Sequence, residues 1–322
     1  MDVWVNGMKI VILDKCTVTR GDIDMTPIDA FGEVDYYDLL SKEEIIKAIK
    51  GADALICNKA KIDREIIEGS TLKFIGVFAT GYNNIDTVAA SEKGIVVCNV
   101  PGYSTDSVVQ LTISFILELA GNTAGYVRSV ANGDWKRSRN FSYFCYPINE
   151  IKGKTLGIYG LGTIGIAVAK IANAFGMRVI AYTRTKKDVD GVELVSKEDL
   201  FKESDFLSFH CPLNEDSALA VNKDTLALMK PTAFLINTAR GGVVDEVALR
   251  DALDNEIIAG AALDVLTDEP MADDCVLFGA KNCIITPHIA WATYEARTRL
   301  IAKIVENLDA FNKGNPINVV NK

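Results

Sequence analysis

The sequence predicts an α/β protein with a doubly wound parallel sheet, and two observations carry that prediction. Short apolar stretches of strand length alternate along the chain with segments of helical period, which is typical of parallel sheets covered by helices. A glycine-rich turn at residues 160–165 follows one such stretch and precedes a helical pattern. Six strand-like stretches, of which the first ends at this turn, are what a doubly wound sheet needs.

The composition is that of a globular protein and excludes several classes of partner. The 322 residues suffice for two domains, and 49% of them are hydrophobic against 24% charged. Apolar stretches reach only strand length and no targeting pattern is visible, so we expect a cytoplasmic protein without a membrane partner. The net charge of −9 argues against nucleic acid.

The cysteines and histidines argue against disulfides and against a metal centre. The seven cysteines stand singly, without a C-x-x-C pair, and most lie in apolar strand-like stretches, so we expect reduced structural thiols. The two histidines, His210 and His288, lie in no metal-binding spacing. We therefore predict no bound metal.

The first hundred residues form one small α/β unit in this interpretation. A helix is predicted over residues 41–49, the unit ends at Pro101 and Gly102, and a long apolar helix follows over residues 105–119. The predicted strands of the unit span residues 9–14, 53–57, 73–78 and 95–98.

Residues 121–147 interrupt the alternation, because they are rich in aromatic side chains and show no clear period. Aromatic residues and arginine are enriched at protein interfaces, so we interpret this stretch as an excursion that packs on a partner subunit. The alternative is a long loop with a small aromatic cluster of its own.

The second sheet begins at residue 155. Its predicted strands span residues 155–159, 178–182, 205–209, 233–237, 258–263 and 283–286. The last helix, over residues 293–312, has no further strand to return to in that sheet, so we expect it to cross back to the first unit. The active cleft would then lie between two domains.

The glycine-rich turn predicts a dinucleotide site. Gly160 permits a sharp reversal, Gly162 lets a pyrophosphate approach the backbone, and Gly165 lets helix and strand pack closely. The amides of Thr163 and Ile164 would meet phosphate at a helix N-terminus, where the helix dipole favours anions. An ordinary tight turn is the alternative.

The next strand lacks the acidic residue that commonly binds the adenosine ribose at its end. Thr183 and Arg184 follow this strand instead, and Lys186 and Lys187 come shortly after. A hydroxyl and a guanidinium can bind a 2′-phosphate, so we predict a slight preference for NADP(H) over NAD(H). A solvated basic turn that tolerates either cofactor is the alternative.

Three segments after later strands each carry one residue suited to reducing a 2-keto acid. Arg240 can hold a carboxylate through two hydrogen bonds, and His288 is of the residue type that exchanges protons near neutral pH. Glu269 would favour the charged imidazole and fix its orientation. Ligands of open α/β sheets gather at the carboxyl ends of strands, so we expect one shared crevice. Singly, each residue also has a structural explanation.

With these motifs the chain resembles the D-isomer-specific 2-hydroxyacid dehydrogenases over almost its whole length. The matching segments are residues 79–86, 160–165, 210–213, 237–245, 264–270 and 287–293. The resemblance implies a homodimer in which a Rossmann domain, residues 103–290, is inserted into a smaller, discontinuous, flavodoxin-like substrate domain, residues 1–102 and 291–322. It also implies an NAD(P)-dependent enzyme that forms D-2-hydroxy acids.

The resemblance implies roles for individual residues. Arg240, Glu269 and His288 match the family's catalytic residues. Asp264 would hold the nicotinamide carboxamide, and His210 is expected at the cofactor edge or the strand end rather than as the proton donor. Outside the glycine-rich turn, the other expected cofactor contacts are Thr183, Arg184, Pro212, Thr238 and Ala239.

The substrate site follows from the same resemblance. Backbone amides around Thr80, Gly81 and Tyr82 would bind the substrate carboxylate. The loop over residues 82–84 and Trp291 look most like the corresponding segments of glycerate dehydrogenases, which are also called hydroxypyruvate or glyoxylate reductases. Hydroxypyruvate and glyoxylate are therefore the favoured substrates. Trp291 would limit substrate size, or simply pack at the helix start. A D-lactate-type or bulkier keto acid dehydrogenase is the alternative.

A nicotinamide-sensing corepressor is the rival from another class, because such proteins resemble the family down to the Arg, Glu and His. The chain shows no disordered tail or peptide-docking extension, which favours the enzyme.

Overall fold

The fold is described by a computed structural model that covers residues 7–185 and 187–321. All pairings between the named strands of these residues are parallel, and they form one five-stranded and one seven-stranded sheet. The chain divides into two compact units, the first formed by Met1–Ser104 with Trp291–Lys322 and the second by Thr105–Ala290. The predicted α/β fold class is confirmed.

Strands and helices alternate along most of the chain. The strands are β1 (Met8–Ile12), β2 (Gly32–Tyr36), β3 (Ala54–Cys57), β4 (Phe74–Val77), β5 (Val96–Cys98), β6 (Thr155–Tyr159), β7 (Arg178–Tyr182), β8 (Val192–Leu194), β9 (Phe206–Phe209), β10 (Phe234–Asn237), β11 (Gly260–Leu263) and β12 (Cys283–Ile285). The helices are α1 (Lys15–Val18), α2 (Lys42–Ala48), α3 (Arg64–Glu68), α4 (Thr87–Glu92), α5 (Thr105–Gly121), α6 (Thr123–Ala131), α7 (Asp134–Arg137), α8 (Thr163–Ala174), α9 (Lys197–Glu203), α10 (Lys223–Leu226), α11 (Glu246–Asp254) and α12 (Tyr294–Asn312). Short 3-10 helices span Thr26–Phe31 and Gly241–Val243.

The first unit has the strand order β2-β1-β3-β4-β5, which is the flavodoxin-like order. Helix α12 packs against this sheet through apolar side chains that include Leu300, Ile304 and Leu308, all of which are buried. A second apolar cluster joins the sheet to residues of α2, α3 and α4. The sheet is therefore covered by helices and buries its central strands β1, β3 and β4, as a parallel sheet requires.

The second unit has the strand order β12-β11-β10-β9-β6-β7-β8. The order reverses between β6 and β9, and a ligand of a doubly wound sheet binds outside the carboxyl ends of the strands at such a point. Helices α5 and α8 contribute to the apolar cluster that contains Val168 and Ile236, while α9 and α11 contribute to the one that contains Phe201 and Leu249.

Two strands were missed by the sequence pattern, and both lie at a sheet edge. The sequence predicts six strands in the second sheet, whereas the structure has seven, because β8 adds an edge strand of three largely exposed residues. In the first sheet, β2 is the unpredicted edge strand, and none of its five residues is buried. Edge strands with polar residues lack the apolar run that marks a buried strand.

The stretch over residues 121–147 is partly helical, which the sequence pattern did not indicate. It contains α6 and α7, followed by irregular chain to residue 147. The Trp135 indole donates to the Phe141 carbonyl over 3.0 Å, and the Tyr126 hydroxyl donates to the Tyr146 carbonyl over 2.8 Å. The stretch is thus held by its own contacts, while the rings of Phe141 and Phe144 point outward with exposed fractions of 93% and 81%.

No single helix among the described residues is long and apolar enough to cross a membrane. The bent pair Thr105–Gly121 and Thr123–Ala131 reaches the required length and composition only when both helices are counted, across a bend of 61°.

Candidate active site

The glycine-rich turn joins β6 to α8 with a geometry that only glycine permits at two positions. A Cβ on Gly160 would lie 2.8 Å from the carbonyl oxygen of His210, and a Cβ on Gly165 would lie 2.3 Å from that of Gly160. Next to Gly162, by contrast, no atom of the described chain other than those of Gly162 and its two chain neighbours lies within 4 Å of the Cβ position. The turn is closed toward the sheet and open on the side from which a pyrophosphate would approach.

A cavity of about 240 Å³ opens beside this turn, at the carboxyl ends of β6, β7 and β9. It brings together six of the predicted cofactor residues, namely Gly160, Gly162, Thr183, Arg184, His210 and Pro212. Lys187 also lines it, whereas Lys186, the other lysine of the predicted basic turn, lies outside the described residues. The cavity has the position and the lining expected for the adenosine end of a dinucleotide.

His210 lies at the end of β9 and forms part of the cavity wall. Its Nε2 is 2.9 Å from the Ser208 hydroxyl, and its backbone amide donates to the Tyr159 carbonyl over 2.8 Å. Burial lowers the pKa of His210 to about 4, so the ring is neutral at neutral pH. This supports a position at the cofactor edge and makes His210 a poor proton donor.

Glu269 and His288 form a close pair in the second unit. His288 Nδ1 lies 2.6 Å from Glu269 Oε2, and the other carboxylate oxygen accepts the Leu266 amide over 3.1 Å. Because Nδ1 is engaged, Nε2 is the ring nitrogen left to face a reactant. The pair has the arrangement of a proton donor whose ring is oriented by a carboxylate.

The backbone places His288 in the left-handed region, with φ of 53°. Asp264 shapes this turn, because one carboxylate oxygen accepts the Thr286 hydroxyl and the Ile289 amide, over 2.5 and 2.8 Å. The other oxygen accepts the Ala290 amide over 2.7 Å. The buried Asp264 side chain therefore positions the segment that carries His288, a role that the sequence pattern did not indicate.

Arg240 follows β10, and its loop is shaped by Asn237. The Asn237 side chain donates to the Arg240 carbonyl over 2.9 Å and accepts the Ala239 amide over 3.0 Å. A Cβ on Gly241 would lie 1.9 Å from the Leu266 carbonyl oxygen, so the loop packs directly against the segment that leads to Glu269. Sequence reasoning missed Asn237, although a polar residue that ends a buried strand is a common turn former.

Two of the remaining predicted cofactor residues, Thr163 and Ile164, begin helix α8 directly after the glycine-rich turn, and the other two, Thr238 and Ala239, belong to the loop after β10. The hydroxyl of Thr238 lies 3.1 Å from that of Thr112 on α5, and the carbonyl of Ala239 accepts Arg240 Nη1 over 2.7 Å. Both contacts are internal to the protein, so they fix the loop after β10 and leave the cofactor roles of Thr238 and Ala239 as predictions.

The predicted substrate residues Thr80, Gly81, Tyr82 and Trp291 belong to the first unit. The Thr80 hydroxyl donates to the Val100 carbonyl over 2.9 Å, and the Thr80 carbonyl accepts the Asn99 side chain over 2.7 Å. These bonds hold the loop in place. The loop follows β4, so its backbone amides take no part in the hydrogen bonds between the strands.

Trp291 packs against the apolar core of the first unit, with its ring centroid 6.4 Å from that of Tyr103. This contact favours the packing interpretation of Trp291 over the pocket wall.

No group of three or more His, Cys, Asp or Glu side chains in residues 7–185 and 187–321 is arranged to hold a metal.

The turn, the cavity and the Glu269–His288 pair define a dinucleotide-binding oxidoreductase of the α/β class. Residues 113–290 match the family model for the "D-isomer specific 2-hydroxyacid dehydrogenase, NAD binding domain". The chain is 42% identical over 322 residues to a hydroxypyruvate reductase of Blautia hydrogenotrophica, which covers 98% of this chain and 100% of that protein. It is also 42% identical over 286 residues to a glyoxylate reductase of Thermococcus litoralis, covering 86% of each.

The solved structure of D-lactate dehydrogenase from Escherichia coli superposes with a TM-score of 0.84 at 29% identity, covering 97% of this chain and 100% of that one. The chain belongs to the D-isomer-specific 2-hydroxyacid dehydrogenases. The predicted family is confirmed, and with it an oxidoreductase that interconverts 2-keto acids and D-2-hydroxy acids with a nicotinamide cofactor.

Proposed function

We propose that this dehydrogenase acts as a reductase of small 2-keto acids, with hydroxypyruvate or glyoxylate as the substrate. The products would be D-glycerate and glycolate. The observation that carries the proposal is the Glu269–His288 pair, with its contact of 2.6 Å. The substrate class is supported by the names of the two relatives, a hydroxypyruvate reductase and a glyoxylate reductase.

His288 is the proton donor in this proposal. Glu269 holds Nδ1, so Nε2 donates its proton to the carbonyl oxygen as that oxygen becomes an alkoxide. The nicotinamide, when bound, supplies the hydride.

Arg240 is the residue that we propose for the substrate carboxylate. Its guanidinium can donate two parallel hydrogen bonds to a carboxylate, which an ammonium cannot do. The Asn237 side chain fixes the backbone on either side of the arginine, so the loop is preformed. The roles of Thr80, Gly81, Tyr82 and Trp291 toward the substrate stay predictions.

The cofactor that we propose is NADP(H), with a slight preference over NAD(H). The turn at Gly160 and Gly162 would hold the pyrophosphate, and Thr183 and Arg184 would face the adenosine ribose from the end of β7. A hydroxyl and a guanidinium at this position suit a 2′-phosphate. Asp264 is the proposed partner of the carboxamide, a role that it would combine with its contacts to the turn at His288.

We further propose a cytoplasmic homodimer that uses the stretch over residues 121–147. Two aromatic rings in it, those of Phe141 and Phe144, are almost fully exposed although the backbone around them is hydrogen-bonded. Exposed aromatic patches on ordered segments are typical of interfaces.

The test replaces the two proposed catalytic residues one at a time, in His288→Gln and Arg240→Lys. His288→Gln should lower kcat with hydroxypyruvate by about 10²- to 10⁴-fold and leave the Kd of the cofactor unchanged, because a glutamine amide cannot deliver the proton. Arg240→Lys should raise KM as well as lower kcat. Steady-state kinetics measure kcat and KM of each variant, and cofactor fluorescence measures the Kd of the cofactor. Normal turnover of His288→Gln would remove His288 from the mechanism.

A further inference from the structure

Arg184, the cation proposed to face a 2′-phosphate, has an acidic partner. Its Nη1 lies 3.2 Å from Oδ2 of Asp216, which belongs to the loop after β9. Both residues line the cavity beside the glycine-rich turn. The loop after β9 thus carries a carboxylate to the ribose end of that cavity, although β7 itself ends without one.

Asp216 is fixed in this position by the backbone around it. The Tyr159 hydroxyl, at the end of β6, donates to the Asp216 carbonyl over 3.2 Å. The Asp216 amide donates to Asn214 Oδ1 over 3.0 Å, and the buried Ser217 hydroxyl donates to the Pro212 carbonyl over 2.7 Å. The carboxylate therefore stands on an ordered turn that the strand end and its own polar side chains hold.

The ion pair and a 2′-phosphate compete for the same guanidinium. A phosphate at Arg184 must break the contact to Asp216 or share the guanidinium with it, and it also brings two negative charges close to the carboxylate. The two side chains are 62% and 58% exposed, and exposed pairs of this kind are weak. Asp216 can therefore reduce the affinity for a 2′-phosphate but cannot abolish it.

We propose that Asp216 is a specificity-determining residue that limits the preference for NADP(H). It supplies, from the loop after β9, the carboxylate that is missing at the end of β7, and it can accept a hydrogen bond from a free ribose hydroxyl. The inference rests on the proposed cofactor site. It gives the enzyme access to both cofactors, because the Arg184 guanidinium is shared between the carboxylate and a 2′-phosphate.

The test uses two nucleotides that need no turnover, adenosine 2′,5′-bisphosphate and AMP. Asp216→Asn removes the charge but keeps the shape, and Glu215→Gln, the matched control, removes the same charge one residue away, outside the cavity lining. Calorimetry at low salt should show that Asp216→Asn lowers the Kd of the bisphosphate about fivefold and does not tighten AMP binding, as expected from loss of one exposed ion pair. Glu215→Gln should leave both constants within about twofold, because the Glu215 side chain does not line the cavity.

A second variant shows whether Asp216 acts through the guanidinium. In Arg184→Gln, the further change Asp216→Asn should alter the bisphosphate Kd much less than it does with the arginine present. If both nucleotides bind and Asp216→Asn leaves the ratio of the bisphosphate Kd to the AMP Kd unchanged, the proposed role of Asp216 is wrong, while the proposed cofactor site stands. If the wild-type chain binds neither nucleotide, the proposed cofactor site fails with it, whatever the turnover of keto acids.

Discussion

At the scale of single residues, the chemistry depends on side chains that do not react. Asp264 uses both carboxylate oxygens to hold the turn that carries His288, and Asn237 does the same for the loop of Arg240. Burial raises the pKa of Asp264, while the three hydrogen bonds that it accepts favour its charged form. The proposed proton donor thus stands on a backbone that a buried polar network fixes.

The neutral state of His210 makes a prediction about stability. Its pKa is about 4 in the folded chain against about 6.5 for an unperturbed histidine, so the unfolded chain binds the extra proton first as the pH falls. Stability from this group is complete above pH 6.5 and declines below it. The loss on going from pH 7.5 to pH 5.0 should be about 2 kcal/mol.

The variant His210→Gln tests this, because glutamine can still bond to the Ser208 hydroxyl but does not titrate. Unfolding by urea at both pH values should show that the variant loses less stability than the wild-type chain at pH 5.0. Equal losses in the two proteins would mean that His210 is not buried as a neutral ring.

At the scale of elements, the pattern of apolar residues predicts the buried strands and helices but not the exposed ones. All ten predicted strands are present, with ends within two residues of those expected. The edge strands β2 and β8 were missed because they lack the continuous apolar run of a buried strand. The helices α6 and α7 were missed because they are short and lie in a polar, aromatic-rich stretch that was interpreted as having no clear period. The aromatic content of residues 121–147 was visible in the sequence, but its helical backbone was not.

The exposed rings of that stretch predict an assembly. Replacing Phe141 and Phe144 together by serine should convert the proposed homodimer to a monomer, because two rings exposed by 93% and 81% lose their apolar contact area. Light scattering coupled to size exclusion measures the mass. Leu39→Ser, which removes a side chain 73% exposed in the first unit, is the control and should leave the dimer intact. A dimer that survives the double change would place the interface elsewhere.

At the scale of the whole molecule, the sequence could predict the fold class and the residue types of the site, because both leave local signals. The glycine-rich turn and the alternating strands lie within short windows. The bonds that shape the site join residues far apart in the sequence. Asp264 and Ala290 are 26 residues apart, and Arg184 and Asp216 are 32 residues apart. Only a folded sheet brings such pairs together, which is why the second role of Asp264 and the partner of Arg184 were not foreseen.

The proposal that this dehydrogenase reduces small 2-keto acids is tested most directly by its substrate range. The measurement is the initial rate of NADPH and of NADH oxidation by the purified protein with hydroxypyruvate, glyoxylate, pyruvate and phenylpyruvate at matched concentrations. We expect fast turnover of hydroxypyruvate or glyoxylate with both cofactors, and somewhat faster turnover with NADPH. A preference for phenylpyruvate, or clear cofactor binding with no turnover of any keto acid, would contradict the proposal.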